Sequence, residues 1–278
     1  MAEIKKTHLA GITTTQTQAT QHKIKHIFIH KDSKGMRKGK RLGLLAMMMA
    51  AAMTAGAQEN AGAGSDVETT VAADAVSQYI WRGQDLGGIS VQPTLGVSYK
   101  GFSATAWGSV GLESTDTKEF DITVAYSIGG FNIGVTDYWF NQNGQDTANR
   151  YFMYESHKTN HVFEANVGYD FGVAAIQWYT NFAGNDGVND KGKRAYSSYV
   201  ELSAPFKLGG CDWTAAVGAV PMATDFYGTS GFAVTNTSLK ATKDIQVTPS
   251  FSVPVFAQIA ANPCNQKAYF VFGFTLQP

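Results

Sequence analysis

This chain of 278 residues has few cysteines and few charged residues, and it lacks a long apolar run. Two cysteines exclude a disulfide-rich scaffold. Charged residues make up 16% of the chain, below the roughly 25% that is usual in soluble domains. Aromatic residues reach 12%, which is too many for a disordered chain. The formal net charge of zero excludes a nucleic-acid binder.

Residues 36–57 have the three parts of a secretory signal peptide. Basic residues follow Met36, residues 42–54 carry no charge, and Ala-Gly-Ala at 55–57 forms an A-x-A cleavage site. The alternative is a transmembrane helix, which needs about 20 apolar residues. The uncharged stretch is too short, so we expect export, with Gln58 as the first mature residue.

The charge of zero is the sum of two unlike pieces. Residues 1–57 hold ten Lys or Arg and two Asp or Glu, whereas residues 58–278 hold twelve and twenty. The exported part is therefore acidic. We expect residues 1–35 to be an unstructured segment upstream of a mis-assigned translation start, the alternative being an extended n-region. Residues 58–68 are expected to form a short periplasmic segment.

After Gln58 the dominant pattern is a long alternation of apolar and polar residues, which predicts strands with one apolar face. Most of these stretches run longer than the roughly 5–6 residues of soluble strands and match the roughly 9–11 needed to cross a membrane. A soluble β-sandwich is disfavoured for that reason. Twelve strands are predicted, near 69–82, 89–100, 101–113, 118–129, 131–141, 160–170, 173–183, 195–208, 211–222, 232–243, 245–259 and 267–277.

Short and long connections alternate between these strands. The short turns lie at 100–101, 129–130, 170–172, 208–210 and 243–244, and the other connections are longer and polar. This is typical of outer-membrane barrels, whose short turns are periplasmic and whose longer loops are extracellular. The prediction for 69–278 is therefore an all-β, closed antiparallel transmembrane barrel of about 12 strands in the cell outer membrane.

The polar alternate residues should line the lumen, and carboxylates outnumber bases among them. A low-dielectric wall focuses their field, which favours a narrow pore for small polar or cationic solutes. The alternative is a plugged interior, with Arg82 paired to Glu119 or Asp121. The predicted lumen residues are Asp74, Gln78, Arg82, Gln92, Lys100, Glu119, Asp121, Glu164, Asn166, Gln177, Glu201 and Lys240.

Aromatic residues near strand ends predict two girdles at the membrane interfaces. The predicted girdle residues are Tyr79, Trp81, Tyr99, Phe102, Trp139, Phe206 and Trp213.

No catalytic, metal or cofactor site is predicted. His157 and His161 fall in or beside a polar loop without further ligands and are interpreted as solvated. Asp137 lies on the lipid-facing parity near a strand end, where a charge costs little, and is interpreted as structural. Cys211 and Cys264 fall at opposite rims and are predicted to be free thiols.

Three segments resemble a known family: SQYIWRG at 77–83, QP at 92–93 and GFSATAWGS at 101–109. They are similar to the N-terminal signature of the Gcw_chp, or TorF-type, porin family of Gram-negative outer-membrane proteins. The likeness covers about residues 70–140. It implies an outer-membrane barrel of porin character with undefined substrates. The positions that match the family's motif are Tyr79, Trp81, Arg82 and Trp107.

These observations together predict a porin-like channel for passive diffusion, and not an enzyme. Its expected partners are outer-membrane lipid, the barrel-assembly machinery during biogenesis and small solutes, with no nucleic acid. The alternative function is a structural or surface-interaction barrel with a plugged lumen and a partner-binding loop at 142–159.

Overall fold

The computed structural model describes residues 67–113, 116, 118–141, 150–155 and 158–278. The predicted leader and His157 lie outside these residues. No helix among the described residues is long and apolar enough to span a membrane. The described residues form β1 Val67–Val76, β2 Tyr79–Trp81, β3 Gln84–Gly87, β4 Ser90–Tyr99, β5 Phe102–Gly111, β6 Lys118–Ile128, β7 Phe131–Asn141, β8 His161–Asp170, β9 Ala175–Gly184, β10 Ser198–Leu208, β11 Cys211–Val220, β12 Ala233–Thr248, β13 Phe251–Asn262 and β14 Lys267–Leu276.

Twelve of these strands close into an antiparallel barrel. Strands β4 to β14 each pair with the next along the chain, and β1 closes the ring by pairing with both β14 and β4. Closure leaves no free sheet edge, so every wall strand is paired with a neighbouring strand on each side. The predicted closed antiparallel barrel is confirmed.

The side-chain alternation divides the barrel wall into an apolar outer face and a mostly polar inner face. On β4, Leu95 is 61% exposed while Gln92 is 8% exposed. On β6, Val124 is exposed and Asp121 is buried. Successive residues of a strand point to opposite faces, so this pattern follows directly from the sequence.

The first predicted strand is too long. β1 ends at Val76, and residues 77–89 fold back into the barrel as a hairpin, here called the inner hairpin, that contains β2 and β3. These two strands form their own two-stranded sheet, separate from the barrel sheet. At the base of the inner hairpin, Val76 pairs with Ser90.

The predicted turn at 243–244 is also wrong. Lys243 and Asp244 lie inside β12, opposite Val255 and Pro254 of β13. The turn lies at Pro249 and Ser250, between β12 and β13. Proline has no backbone N–H and fixes φ, which suits a turn position, whereas Lys-Asp is only a polar pair.

Candidate functional site

The inner hairpin crosses the whole lumen near the rim that carries the long loops. On one side the Tyr79 hydroxyl donates to Glu119 Oε2 on β6 at 2.8 Å. Two strands away, Arg82 Nη1 donates to Glu164 Oε2 on β8 at 2.7 Å. A third contact lies across the ring and runs from Asn262 Nδ2 on β13 to the Gly83 carbonyl at 3.1 Å. The barrel interior is therefore filled at this level.

The planar guanidinium of Arg82 donates two parallel hydrogen bonds to the carboxylate of Glu164. Its Nη1 and Nη2 donate to the two oxygens of Glu164 at 2.7 and 3.1 Å, and both side chains are fully buried. Its Cζ lies 4.1 Å from the Tyr179 ring centroid and 4.6 Å from that of Tyr199. Such bidentate and cation–π contacts suit a guanidinium better than an ammonium.

The backbone at the tip of the inner hairpin is in an unusual conformation. Arg82 has φ 47° and Gly83 has φ 76°, so both central residues of this two-residue turn are left-handed, which normally favours Asn-Gly. A Cβ on Gly83 would lie 1.8 Å from the Thr235 carbonyl oxygen. An arginine held in this region is a strained residue of the kind that clusters at functional sites.

A second buried carboxylate, Glu201, stands beside the Arg82 cluster. Tyr199 Oη donates to Glu201 Oε2, and Asn236 Nδ2 donates to the same oxygen at 3.2 Å. The Tyr199 hydroxyl passes over Gly218, where a Cβ would lie 1.8 Å from it. Glu201 Oε1 is buried and has no hydrogen-bond partner among the residues that the structure describes.

Residues from the loop between β11 and β12 cover the cluster. The Tyr227 hydroxyl oxygen accepts a hydrogen bond from Arg82 Nη1, and the Tyr227 ring stacks on Trp81 with centroids 6.0 Å apart. Burial raises the pKa of Tyr227, although the nearby Arg82 charge acts in the opposite direction. The phenol therefore stays neutral. Phe226 packs beside it and is also buried.

Toward the short turns, the inward groups on β1, β12, β13 and β14 are less buried. Thr275 Oγ1 donates to Asp74 Oδ1 at 2.6 Å, and Lys240 Nζ lies 4.0 Å from the Phe256 ring centroid. Asp74, Lys240 and Phe256 are all only partly buried. This part of the wall is thus accessible to water, whereas Asn132, Asn166 and Gln177 on β7, β8 and β9 are buried at the same level.

The predicted lumen residues fall into three groups. Nine lie on the inward face of the wall: Asp74, Gln92, Glu119, Asp121, Glu164, Asn166, Gln177, Glu201 and Lys240. Arg82 and Gln78 lie in the inner hairpin, where Gln78 donates to Asp85 at 3.0 Å. Arg82 pairs with Glu164, in place of the Glu119 or Asp121 proposed from the sequence.

Lys100 does not line the lumen. It is exposed in the turn between β4 and β5, with φ 47° and its Nζ 4.9 Å from the Tyr99 ring centroid. The alternation that places inward residues ends where the strand ends, at Tyr99. The prediction was wrong because it extended the strand by one residue.

Tyr79 and Trp81 are not girdle residues. They are buried inside the barrel, where Tyr79 packs on Trp107 and Trp81 on Tyr138. Their apolar rings were assigned to the outside on the assumption that β1 continues past Val76. The other five predicted girdle residues, Tyr99, Phe102, Trp139, Phe206 and Trp213, lie at strand ends with exposed or half-exposed side chains.

His161 is buried and not solvated. Its Nδ1 lies 2.7 Å from Asp137 Oδ1, and its Nε2 lies within hydrogen-bond distance of the Tyr151 carbonyl oxygen. It begins β8, and residues 150–155 pack over it, which a loop assignment from composition misses. Cys211 and Cys264 are free and lie at opposite rims, as predicted.

Four tyrosines of the site were not singled out from the sequence. Tyr138, Tyr179 and Tyr199 share the inward parity of Thr136, Gln177 and Glu201, so strand parity would have placed them in the lumen. Tyr227 lies in a loop, and no periodic signal indicates its position. The aromatic residues of the buried cluster are Tyr79, Trp81, Trp107, Tyr138, Phe140, Tyr179, Tyr199, Phe226 and Tyr227.

Comparison with known proteins finds similar barrels but no relative in sequence. The outer membrane protein OprD from Pseudomonas aeruginosa is 9% identical, with 77% of this chain and 65% of that chain covered and a TM-score of 0.35. OccK9 (OpdG) of the same organism is 12% identical, with 78% of this chain and 64% of that chain covered and a TM-score of 0.34. A structure described as a porin is 16% identical, with 77% of this chain and 78% of that chain covered and a TM-score of 0.33.

The chain spans about 64% of the length of OccK9 and 65% of that of OprD. No family model matches it, and no curated protein matches it. The resemblance to the Gcw_chp family therefore stays a prediction.

Proposed function

We propose that this protein is a barrel of the Gram-negative outer membrane. Its outward side chains form an apolar belt that includes Leu95, Val124 and Ile133, all strongly exposed. Aromatic pairs lie at the rim with the short turns, such as Phe102 with Tyr126 and Phe206 with Trp213. Lipid covers such a belt, and the closed ladder satisfies every backbone group within it. Insertion then requires the barrel-assembly machinery.

The proposed activity is porin-like passage of small polar or cationic solutes, with the inner hairpin as a barrier that must move. The observation that carries this is the separation of the β2–β3 sheet from the barrel sheet. Because β2 and β3 form no ladder with the wall, displacement of residues 78–88 leaves the wall strands paired and the backbone hydrogen bonds of Ser77 and Ile89 in place. Conduction then depends on whether the hairpin is seated.

Single-channel recording in planar bilayers tests this proposal. The full chain is compared with a variant in which residues 78–88 are replaced by a short Gly-Ser linker, which the pairing of Val76 with Ser90 permits. We expect a small or intermittent current from the unmodified chain and a steady current from the variant. Lys191→Ala, on an exposed loop, is the matched control and should behave like the unmodified chain. Absence of current from the linker variant at every voltage would end the channel proposal.

The filled lumen also favours the second candidate, a structural or surface-interaction barrel. The inner hairpin contacts β6 and β8 on one side of the barrel and β13 on the other. A permanently seated plug predicts silence in the unmodified chain under all conditions and current only in the linker variant. Intermittent opening of the unmodified chain distinguishes the two candidates.

We assign no catalytic role to the buried carboxylates. Glu164 is bound by Arg82 and Tyr138, and Glu201 by Tyr199 and Asn236. These contacts hold the inner hairpin and shape the interior. The proposal uses the carboxylates for binding and not for proton transfer.

A further inference from the structure

The groups that hold Arg82 come almost entirely from the barrel and not from the inner hairpin. Glu164, Tyr179 and Tyr199 lie on neighbouring wall strands β8, β9 and β10, and Tyr227 lies on the loop that covers them. Trp81, whose ring centroid is 4.4 Å from Arg82 Cζ, is the contact that the hairpin itself supplies. When the hairpin leaves, the wall retains a site with the shape of a guanidinium.

The wall groups are fixed independently of Arg82. Tyr138 Oη donates to Glu164 Oε1 at 2.9 Å, which orients the carboxylate that receives the guanidinium. Tyr199 is anchored by its hydrogen bond to Glu201 and by the space above Gly218. A site held by such secondary contacts stays pre-organised when its occupant leaves.

Several carboxylates lie on the buried inward face around the site. Glu119, Glu164 and Glu201 are buried inward carboxylates, and Asp121 is a fourth. Among the residues that the structure describes, Arg82 is the only buried lysine or arginine. Glu201 Oε1 adds a buried oxygen without a hydrogen-bond partner among the described residues. When Arg82 leaves, Glu164 loses this buried counter-charge, which is costly, so the emptied site favours a replacement cation.

We infer that this wall site, formed by Glu164, Tyr179, Tyr199 and Tyr227, binds guanidinium-bearing solutes and that Arg82 is its internal ligand. A solute with a guanidinium group competes with Arg82 and so displaces the inner hairpin. The inference deepens the proposed channel function, on which it rests, by naming its solute class. The two parallel hydrogen bonds to Glu164 require a planar fork, so a guanidinium binds better than an alkylammonium.

Thermal unfolding of the detergent-purified full chain tests the site without any need for conduction. In Arg82→Ala, guanidinium chloride at low millimolar concentration should raise Tm by several degrees, because it binds the folded state. Sodium chloride at equal ionic strength and urea, a neutral molecule of similar shape, should not. The unmodified chain should respond much less at the same concentration, because guanidinium must first displace Arg82. In the double variant Arg82→Ala with Glu164→Gln the response should disappear.

The linker variant that lacks residues 78–88 provides the same test if Arg82→Ala does not fold. It presents the empty wall site directly, and guanidinium should stabilise it more than methylammonium does. Equal Tm in guanidinium and sodium chloride for both variants would overturn the inference. The channel proposal and the guanidinium-site inference can fail separately. Stabilisation by guanidinium without any current would contradict the channel proposal and support the site. Current without stabilisation would contradict the site.

Discussion

The ion pair between Arg82 and Glu164 is a fully buried contact of the inner hairpin with two hydrogen bonds. Glu164→Gln leaves Arg82 buried without its counter-charge, and loss of one partner of a buried pair costs about 3–5 kcal/mol. The free energy of unfolding, measured by denaturant titration in detergent micelles, should fall by that order.

The matched control is Glu155→Gln, which removes the exposed pair with Lys158. Surface pairs contribute about 0–1 kcal/mol, so its effect should be small. Equal effects of the two substitutions would contradict the role given to the buried pair.

Gly218 makes room for the Tyr199 hydroxyl, and its replacement tests that close approach. In Gly218→Ala the new Cβ would lie 1.8 Å from Tyr199 Oη, so the ring must move away from Glu201. Forcing an extra methyl into a packed interior costs about 1–3 kcal/mol, which thermal unfolding would detect. Gly231→Ala, with nothing within 4 Å of its Cβ, is the control and should leave Tm nearly unchanged.

At the scale of elements, the inner hairpin depends on Gly83. Gly83→Ala places a Cβ against the Thr235 carbonyl and demands φ 76° of an alanine, so the hairpin should not seat. We expect trypsin to cleave after Arg82 in this variant, because the buried arginine becomes accessible. Mass spectrometry of the fragments measures this. A chain with Gly231→Ala should resist cleavage at Arg82, and equal protection of both variants would refute the close approach.

The β12–β13 hairpin offers a test of register. A single glycine inserted after Lys243 shifts one half of β12 against β13 and exchanges its inward and outward faces. We expect loss of the heat-modifiable gel mobility that folded barrels show. The same insertion between Pro249 and Ser250 falls in the turn and should be tolerated. Tolerance of both insertions would contradict the observed register.

At the scale of the whole molecule, the interior charge predicts ion selectivity. With residues 78–88 replaced, Arg82 is gone while Glu119, Asp121, Glu164 and Glu201 remain, so the lumen should prefer potassium over chloride. The reversal potential in a potassium chloride gradient measures this preference. Adding Glu201→Gln to the same variant should reduce it. An anion-selective current would show that Lys240 and the rim charges dominate.

The sequence alone determined the barrel. Alternation of apolar and polar residues is a local property, and strand length with alternating short and long connections separates a closed membrane barrel from a soluble sandwich. The same alternation placed nine of the predicted lumen residues on the inward face of the wall, because it holds wherever a strand continues.

Only the tertiary structure decided where β1 ends and what fills the lumen. Tyr79 and Trp81 share the outward parity of Ala73 and Ala75, so parity alone does not distinguish a strand that continues along the wall from one that turns inward. What decides between them is the set of distant partners: Glu164 for Arg82, Thr235 and Asn262 for Gly83. These partners are brought together by barrel closure, and closure is a property of the folded chain.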